Sequence, residues 1–259
     1  MESTFEFVFT FVLGAVIGSF LNVCIVRLPE GVSVVAPSSR CPICGQGIRW
    51  YDNIPILSYL VLRGRCRSCG DPVSVRYPLV EMMTALMFAA LWTRFGFGIP
   101  WALYAAFVSG LIVVTFVDLA HQIIPDVVSL PGICVGFVAS FFLPGISWTE
   151  SLLGILIGGG LLLAVAEGYR FLRKKEGMGG GDIKLLAMIG AFLGWKSIPV
   201  TIFIASFLGA LVGGLYLAVT RKGTQVPIPF GPYLVMGALL DLFWGDELID
   251  WYLSLGSMV

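Results

Sequence analysis

The chain has 259 residues, of which 58% are apolar and only 12% charged, and its mean hydropathy is +0.92. This composition excludes an ordinary soluble enzyme, because several apolar runs approach or exceed the roughly 18–20 residues that cross a bilayer. The 16 basic and 16 acidic residues balance, and no basic tail or aromatic-basic interleaving indicates nucleic-acid binding. The sequence therefore predicts an all-α polytopic membrane protein in contact with membrane lipids.

Eight apolar segments are predicted to be transmembrane helices. They cover residues 7–26, 78–92, 100–119, 127–143, 151–169, 183–195, 198–219 and 230–244. The first lacks the basic n-region and the small-residue cleavage site of a secretory signal, so we interpret it as a retained helix. The sixth and eighth are shorter than a full span, and the tail after Asp246 is apolar enough to lie on the membrane surface.

The basic residues fall mainly on one side of this arrangement. Fourteen of the 16, from Arg27 to Lys222, lie on that side, and only Arg94 and Lys196 lie on the other. Because basic loops are retained in the cytoplasm, this bias predicts that the first side is cytoplasmic and that both termini lie outside. A seven-span arrangement, with the last basic loop and the C-terminus on one side, is the alternative.

The polar segment 27–77 carries two copies of the pattern C-x-x-C-G-x-x-[IV], which supply Cys41, Cys44, Cys66 and Cys69. Two such pairs, separated by 21 residues, are typical of a four-cysteine zinc site. Four thiolates complete a tetrahedral shell without an open position, so the predicted zinc is structural. The alternatives are two disulfides, which a cytoplasmic location disfavours, and a redox-active pair.

Two acidic residues lie on membrane helices near the cytoplasmic face. Asp118 ends the apolar run of the third helix, and Asp182 follows Gly179, Gly180 and Gly181 at the start of the sixth. Neighbouring carboxylates share one proton, so one acid can polarise a carbonyl while the other activates water, as in an aspartic protease. The positive helix end favours Asp182 as the carboxylate and Asp118 as the proton carrier. The glycines would let an unwound peptide approach closely.

Other charged residues near the cytoplasmic helix ends are predicted to be structural or solvated. Glu81 is expected to pair with Arg76, and Glu167 with Arg170, three residues further along its helix. Lys184, close to the second acid, is expected to be a solvated residue.

Short sequence blocks spread along nearly the whole chain match the motifs of one family. They cover residues 18–23, 27–29, 40–42, 50–55, 57–60, 76–78, 118 with 124–126, 177–182, 184–185 and 229–232. With these blocks the chain resembles the bacterial type IV prepilin peptidases, also called prepilin leader peptidase/N-methyltransferases, of the G-x-G-D class of intramembrane aspartyl proteases. No motif position departs from the family's pattern.

The resemblance implies that Asp118 and Asp182 are catalytic. The substrate would be a prepilin or pseudopilin, cleaved after a glycine at the cytoplasmic face of the bacterial inner membrane. It also implies methylation of the new N-terminal residue, usually Phe, with S-adenosylmethionine as the donor. The sequence shows no nucleotide-binding fingerprint, so the cofactor-binding residues are unknown, and Glu81 is a weak candidate for this chemistry.

The predicted organisation is a first transmembrane helix (1–26), a cytoplasmic zinc-binding module (27–77) and a transmembrane aspartyl protease domain (78–259). Two other functions fit parts of the pattern. A carboxylate-based transporter would use the intramembrane acids to carry protons or cations. A non-catalytic scaffold would use the zinc module to bind partners in a secretion machinery.

Overall fold

The computed structural model describes residues 2–174, 179–220 and 229–256, and this part of the chain is predominantly helical. Its elements are α1 (Glu2–Arg27), a 3₁₀ turn (Trp50–Asn53), α2 (Leu57–Val61), α3 (Arg76–Phe95), α4 (Ile99–His121), α5 (Asp126–Ala139), α6 (Trp148–Arg173), α7 (Gly180–Leu193), α8 (Ser197–Thr220) and α9 (Gly231–Gly256). Two isolated antiparallel bridges join Arg40 to Gly47 and Arg65 to Pro72. The predicted all-α class is confirmed. The chain divides into two compact units, Met1–Val113 and Val114–Val259.

Each of the eight predicted apolar segments coincides with a helix. Within the described residues, four helices are long and apolar enough to cross a membrane, over Ser3–Arg27, Ile99–His121, Trp148–Arg173 and Ser197–Tyr216. Helices α5 and α7 have 14 residues each, or about 21 Å, which is less than the roughly 30 Å of a hydrocarbon core. The count of eight spans therefore stays a prediction.

The eighth predicted helix is longer than expected. Non-helical backbone angles at Trp244 (φ −140°, ψ 17°) interrupt α9, which then continues to Gly256. The segment predicted to lie on the membrane surface after Asp246 is thus helical as far as Gly256.

In the first unit, α1 packs against α3 through two glycines of α1. A Cβ atom at Gly14 or at Gly18 would lie 2.7 Å from a Cα atom of α3. Small residues at such positions let two membrane helices approach closely. The Asn22 Nδ2 group adds a hydrogen bond to the Tyr77 carbonyl, at 3.0 Å. The segment between these helices, which carries the four cysteines, is therefore held at both ends by one helix pair.

In the second unit, α7 is the central helix and packs against α5, α6, α8 and α9. Its residues 185–192 are all buried, as expected for a helix that is apolar on every side. A Cβ atom at Gly154 of α6 would overlap the carbonyl oxygen of Gly190. The Ser151 hydroxyl also donates to the Ala191 carbonyl at 2.7 Å. These contacts fix the helix whose first turn carries Asp182.

Replacing Gly154 with alanine is expected to destabilise the protein by about 1–3 kcal/mol, because the new methyl group meets α7 backbone that cannot rotate away. Thermal unfolding of the purified protein in detergent measures this change. Gly160→Ala on the same helix is the matched control, since no neighbouring atom of residues 2–174, 179–220 or 229–256 lies within 4 Å of a Cβ there. Equal unfolding temperatures for the two variants would contradict the packing described.

Candidate active site and metal centre

Asp118 lies in the last turn of α4 and is 5% exposed. Its Oδ2 atom accepts a hydrogen bond from the backbone N–H of Gly231, the first residue of α9, at 3.0 Å. A Cβ atom at Gly231 would lie 2.7 Å from the same oxygen, so a residue without a side chain is needed here. Because Oδ2 is an acceptor, a proton on Asp118 would be carried by Oδ1.

Asp182 is the third residue of α7 and is half-buried. Gly179 caps the helix in an extended conformation (φ −72°, ψ 142°), so the carboxylate lies in the first turn, as predicted. The N–H groups of a first helical turn lack intrahelical partners, and the helix dipole there is positive. The position therefore favours negative charge on Asp182.

The structure brings Asp118 and Asp182 together within the second unit, where the two carboxylates interact electrostatically. Ile124 lies between the two elements that position them. Its side chain would be 2.8 Å from a Cβ atom at Gly181, and 3.4 Å from one at Gly231. The start of α7 and the start of α9 thus pack against the same isoleucine. The first carries Asp182, and the second binds the Asp118 carboxylate through the Gly231 N–H.

The three glycines predicted to admit a peptide are of two kinds. Among the described residues, the Gly181 nitrogen, at 4.0 Å, is the one atom reported near a Cβ atom at Gly179. No described neighbour lies within 4 Å of a Cβ atom at Gly180. Gly181 instead fits closely against Ile124. Open space thus adjoins the first two glycines, whereas the third serves packing. Residues 177–178 of the same run lie outside the described residues.

Lys184 forms an ion pair that the sequence analysis missed. Its Nζ atom lies 2.7 and 2.8 Å from the two carboxylate oxygens of Asp126, at the start of α5. The Lys184 side chain is 36% exposed within this pair, which is consistent with the predicted solvated residue. The predicted pair of Glu167 and Arg170 is confirmed at 2.7 Å. Lys184 and Asp126 are 58 positions apart, so no local spacing rule could have paired them.

The four predicted metal ligands form a cluster. The sulfur atoms of Cys41, Cys44, Cys66 and Cys69 all lie within 4.8 Å of one another, and those of Cys41 and Cys69 are 3.9 Å apart. A zinc ion about 2.3 Å from four sulfurs would set them about 3.8 Å apart. The cluster therefore has the dimensions of a tetrahedral thiolate site.

The duplicated cysteine pattern folds into two equivalent knuckles. In each, the N–H of the glycine after the second cysteine donates to the carbonyl of the first cysteine, at 2.9 Å. The N–H of that first cysteine donates in turn to the carbonyl five residues further on, at 2.9 Å for Cys41 and 2.8 Å for Cys66. Gly45 and Gly70 have φ of +70° and +77°, which favours glycine at both turns.

The thiols differ in acidity. Backbone N–H groups of Cys44 and Ile43 lower the pKa of Cys41 to about 7. The neighbouring Asp71 carboxyl raises the pKa of Cys69. A bound divalent cation would favour the thiolate form of every ligand, which is the form that zinc requires.

A second ion pair, between Asp52 and Arg67, lies within the cysteine-containing module (residues 27–77). Arg67 donates through Nε and Nη2 to the Asp52 carboxylate, at 2.6–2.9 Å, and lowers the pKa of Asp52. The Asp52 side chain is 9% exposed. The pair joins the 3₁₀ turn to the second knuckle.

Glu81 of α3 is 8% exposed. Its carboxylate accepts a hydrogen bond from the backbone N–H of Ile56, at 2.7 Å. The Arg76 guanidinium lies instead over the Tyr77 ring, 5.4 Å from its centroid. The predicted pairing of Glu81 with Arg76 is therefore wrong, because tertiary folding brings the loop before α2 against this face of α3.

Comparisons with known proteins agree with this architecture. Residues 12–95 match the bacterial peptidase A24 N-terminal domain, and residues 105–214 match the type IV leader peptidase family. The chain is 38% identical to the prepilin leader peptidase/N-methyltransferase of Pseudomonas aeruginosa, over 95% of this chain and 92% of that protein. The protein of the same name from Aeromonas hydrophila is 38% identical, over 96% of this chain and 94% of its own length. The one from Myxococcus xanthus is 45% identical, over 83% of this chain and 64% of its own length. No solved structure matches the chain. The chain belongs to the type IV leader peptidase family and is an enzyme.

Proposed function

We propose that the protein is a membrane-embedded aspartyl endopeptidase that removes the leader of type IV prepilins or pseudopilins, cutting after a glycine, and then methylates the new N-terminus. The names of its relatives support both activities. The observation that carries the peptidase is that Asp118 and Asp182 lie in one compact unit, near enough for their charges to interact. Membership in a peptidase family argues against the transporter and the non-catalytic scaffold.

In the proposed mechanism the two carboxyl groups share one proton. The carboxylate of Asp182 removes a proton from water, and the water oxygen bonds to the carbonyl carbon of the glycine. The acid of Asp118 gives its proton, from Oδ1, to the carbonyl oxygen. The C–N bond then breaks, and the leaving nitrogen takes the proton that Asp182 had received. The carbonyl group re-forms as one hydroxyl of the intermediate returns its proton to the Asp118 carboxylate, which restores the starting state of the pair. The Gly231 N–H, bound to Oδ2 of Asp118, keeps Oδ1 directed to this role.

The substrate must unwind before it can be cut. Helical carbonyl groups are already hydrogen-bonded, and within a membrane a freed backbone group needs a new partner. Glycine at the cut lowers the cost of leaving the helix. The open space next to Gly179 and Gly180 supports this segment as the place where an extended peptide lies.

We place the protein in the bacterial inner membrane with eight spans, in which the last turn of α4 and the first turn of α7 reach the cytoplasmic face. The bias of 14 basic residues over two supports this orientation. In this organisation residues 1–26 form the first span, residues 27–77 the cytoplasmic module, and residues 78–259 the protease domain. The sulfur cluster supports a structural zinc ion, held by the four cysteines, in the module.

Co-expression with a candidate prepilin, in a cell that lacks other prepilin peptidases, tests this function. Mass spectrometry of the pilin N-terminus should show loss of the leader and the gain of one methyl group. Intact prepilin in cells with abundant, folded enzyme would contradict the proposal.

Replacing Gly231 with alanine is expected to slow cleavage by roughly 10- to 100-fold. The added methyl group would displace Asp118 or break its hydrogen bond with the Gly231 N–H. A displacement of a catalytic group by about 1 Å lowers a reaction rate by roughly this factor. Initial cleavage rates of the purified variant measure the effect. Gly214→Ala is the matched control, because a Cβ atom on this residue of α8 meets no neighbouring atom within 4 Å in the part of the chain that the structure describes. A Gly231→Ala variant as fast as this control would contradict the role given to the Gly231 N–H.

A further inference from the structure

Three apolar side chains on one face of the short helix α2 are exposed. Leu57, Leu60 and Val61 are 61%, 64% and 75% exposed, and residues three and four positions apart lie on the same side of a helix. Tyr59, on the other side of α2, lines a cavity between this helix, α1 and α3. One side of α2 therefore faces the protein, and the other presents an apolar surface of the kind that binds a partner or a membrane.

The start of α2 lies beside α1 and α3, inside the ends of these helices that carry Arg27 and Arg76. The N–H of Ile56, the residue before α2, donates to the Glu81 carboxylate at 2.7 Å. Glu81 follows Arg76, the first residue of α3, by about 7.5 Å along the helix axis. A Cβ atom at Gly18 would lie 2.7 Å from the Glu81 Cα atom, and Gly18 precedes Arg27, the last residue of α1, by about 14 Å. The start of α2 thus lies at a depth similar to the roughly 5–10 Å that interfacial helices reach in a membrane.

The residues on either side of α2 also suit a membrane surface. Trp50, which precedes the helix, is 82% exposed, and tryptophan is enriched where a membrane meets water. Arg63 and Arg65, which follow the helix, are exposed as well. Residues 27–76 contain seven arginines and three acidic residues, and such a basic balance attracts the anionic lipids of the cytoplasmic leaflet. An apolar face between an aromatic residue and arginines is typical of an interfacial element.

We propose that α2 is an interfacial anchor whose apolar face, formed by Leu57, Leu60 and Val61, lies among the acyl chains of the cytoplasmic leaflet. The inference rests on the proposed placement of α1 and α3 across the membrane. It changes the place of part of the module, because residues 56–61 then lie in the leaflet rather than in the cytoplasm. Within lipid a backbone N–H group needs an acceptor from the protein. The Glu81 carboxylate accepts the Ile56 N–H and so holds the anchor at this depth.

Photolabelling with a phospholipid that carries a diazirine in its acyl chain tests the anchor. The full-length protein is reconstituted in vesicles of phosphatidylethanolamine and phosphatidylglycerol, irradiated and mapped by mass spectrometry. Label is expected on the peptide that contains α2 and on the lipid-facing side of α1, where Val16 is exposed. Val35 is also exposed but should stay unlabelled, because hydrogen bonds from Arg27 hold its neighbours at the end of α1.

Variants of the apolar face show whether it makes the contact with lipid. Leu60→Asp should lower the labelling of the α2 peptide at least ~10-fold, because a carboxylate is disfavoured among acyl chains. Leu60→Phe keeps an apolar side chain and should be labelled like wild type. Val35→Asp is the matched control, since it adds the same charge at an exposed apolar position of the module and should leave the labelling of α2 unchanged. Thermal unfolding of each variant separates loss of lipid contact from loss of fold.

The label on α1 makes the anchor and the membrane placement fail separately. Label on α1 without label on α2 would overturn the anchor and leave the proposed spans standing. Absence of label from both helices would overturn the membrane placement and the anchor with it. Equal labelling of α2 in wild type and Leu60→Asp would also overturn the anchor. Loss of the α2 label when prepilin is added would assign this apolar face to the substrate instead of the lipid.

Discussion

Replacing Asp118 or Asp182 with asparagine is expected to lower the rate of prepilin cleavage by roughly 10²–10⁴-fold, because each variant removes one partner from a general acid–base pair. Asparagine keeps the shape of the side chain. In Asp118→Asn the amide oxygen can still accept a hydrogen bond from the Gly231 N–H. The double variant should be hardly slower than either single variant, since residues that act as one unit are not additive. Initial rates with purified protein and a prepilin substrate measure all three.

Asp250→Asn is the matched control for this pair, because Asp250 is an exposed carboxylate on α9. Its cleavage rate should equal that of wild type. Thermal unfolding establishes that the variants at Asp118 and Asp182 remain folded. A rate near wild type in either variant would remove that residue from the catalytic pair.

The second large expected effect is the loss of bound zinc when a cysteine ligand is replaced. Wild-type protein purified without added metal should contain one zinc ion per chain, and Cys41→Ser or Cys66→Ser should lose it. Structural zinc supplies about 10–16 kcal/mol of apparent folding free energy in small zinc-finger peptides. Many side chains of residues 43–75 are exposed, so this segment has little apolar core to replace the metal. We therefore expect fast hydrogen exchange over residues 39–74 in both variants, with α1 and α3 still protected.

Cys134→Ser is the control for the cysteine variants, since Cys134 is an exposed cysteine of α5 in the other unit. It should retain the metal and the protection pattern of wild type. Stoichiometric zinc in both Cys41→Ser and Cys66→Ser would show that the four sulfurs do not form the site.

The helices were predictable from the sequence because long apolar runs leave few alternatives in a membrane protein. Their ends were less predictable. The apolar pattern predicts a fourth helix that continues to residue 143, but α5 ends at Ala139, where the chain turns ahead of Pro144. The last helix was ended at residue 244, yet α9 continues beyond its interruption at Trp244. Composition alone does not show whether a helix ends at a given residue or is interrupted there and continues.

The candidate site was predictable where its residues share a short motif. The two knuckles and the position of Asp182 follow from glycine and cysteine spacing over a few residues. The Gly231 N–H that binds Asp118 comes from 113 positions along the chain, and Ile56 reaches Glu81 across 25. Such contacts depend on how helices pack, which no local pattern contains.

The most direct test of the central claim is the mass of the two products released when purified prepilin is incubated with wild-type protein and, in parallel, with Asp118→Asn. The account predicts a leader peptide ending in glycine and a shortened pilin from the wild-type reaction, and intact prepilin from the variant. Equal cleavage by both proteins, or cleavage at another residue, would contradict it.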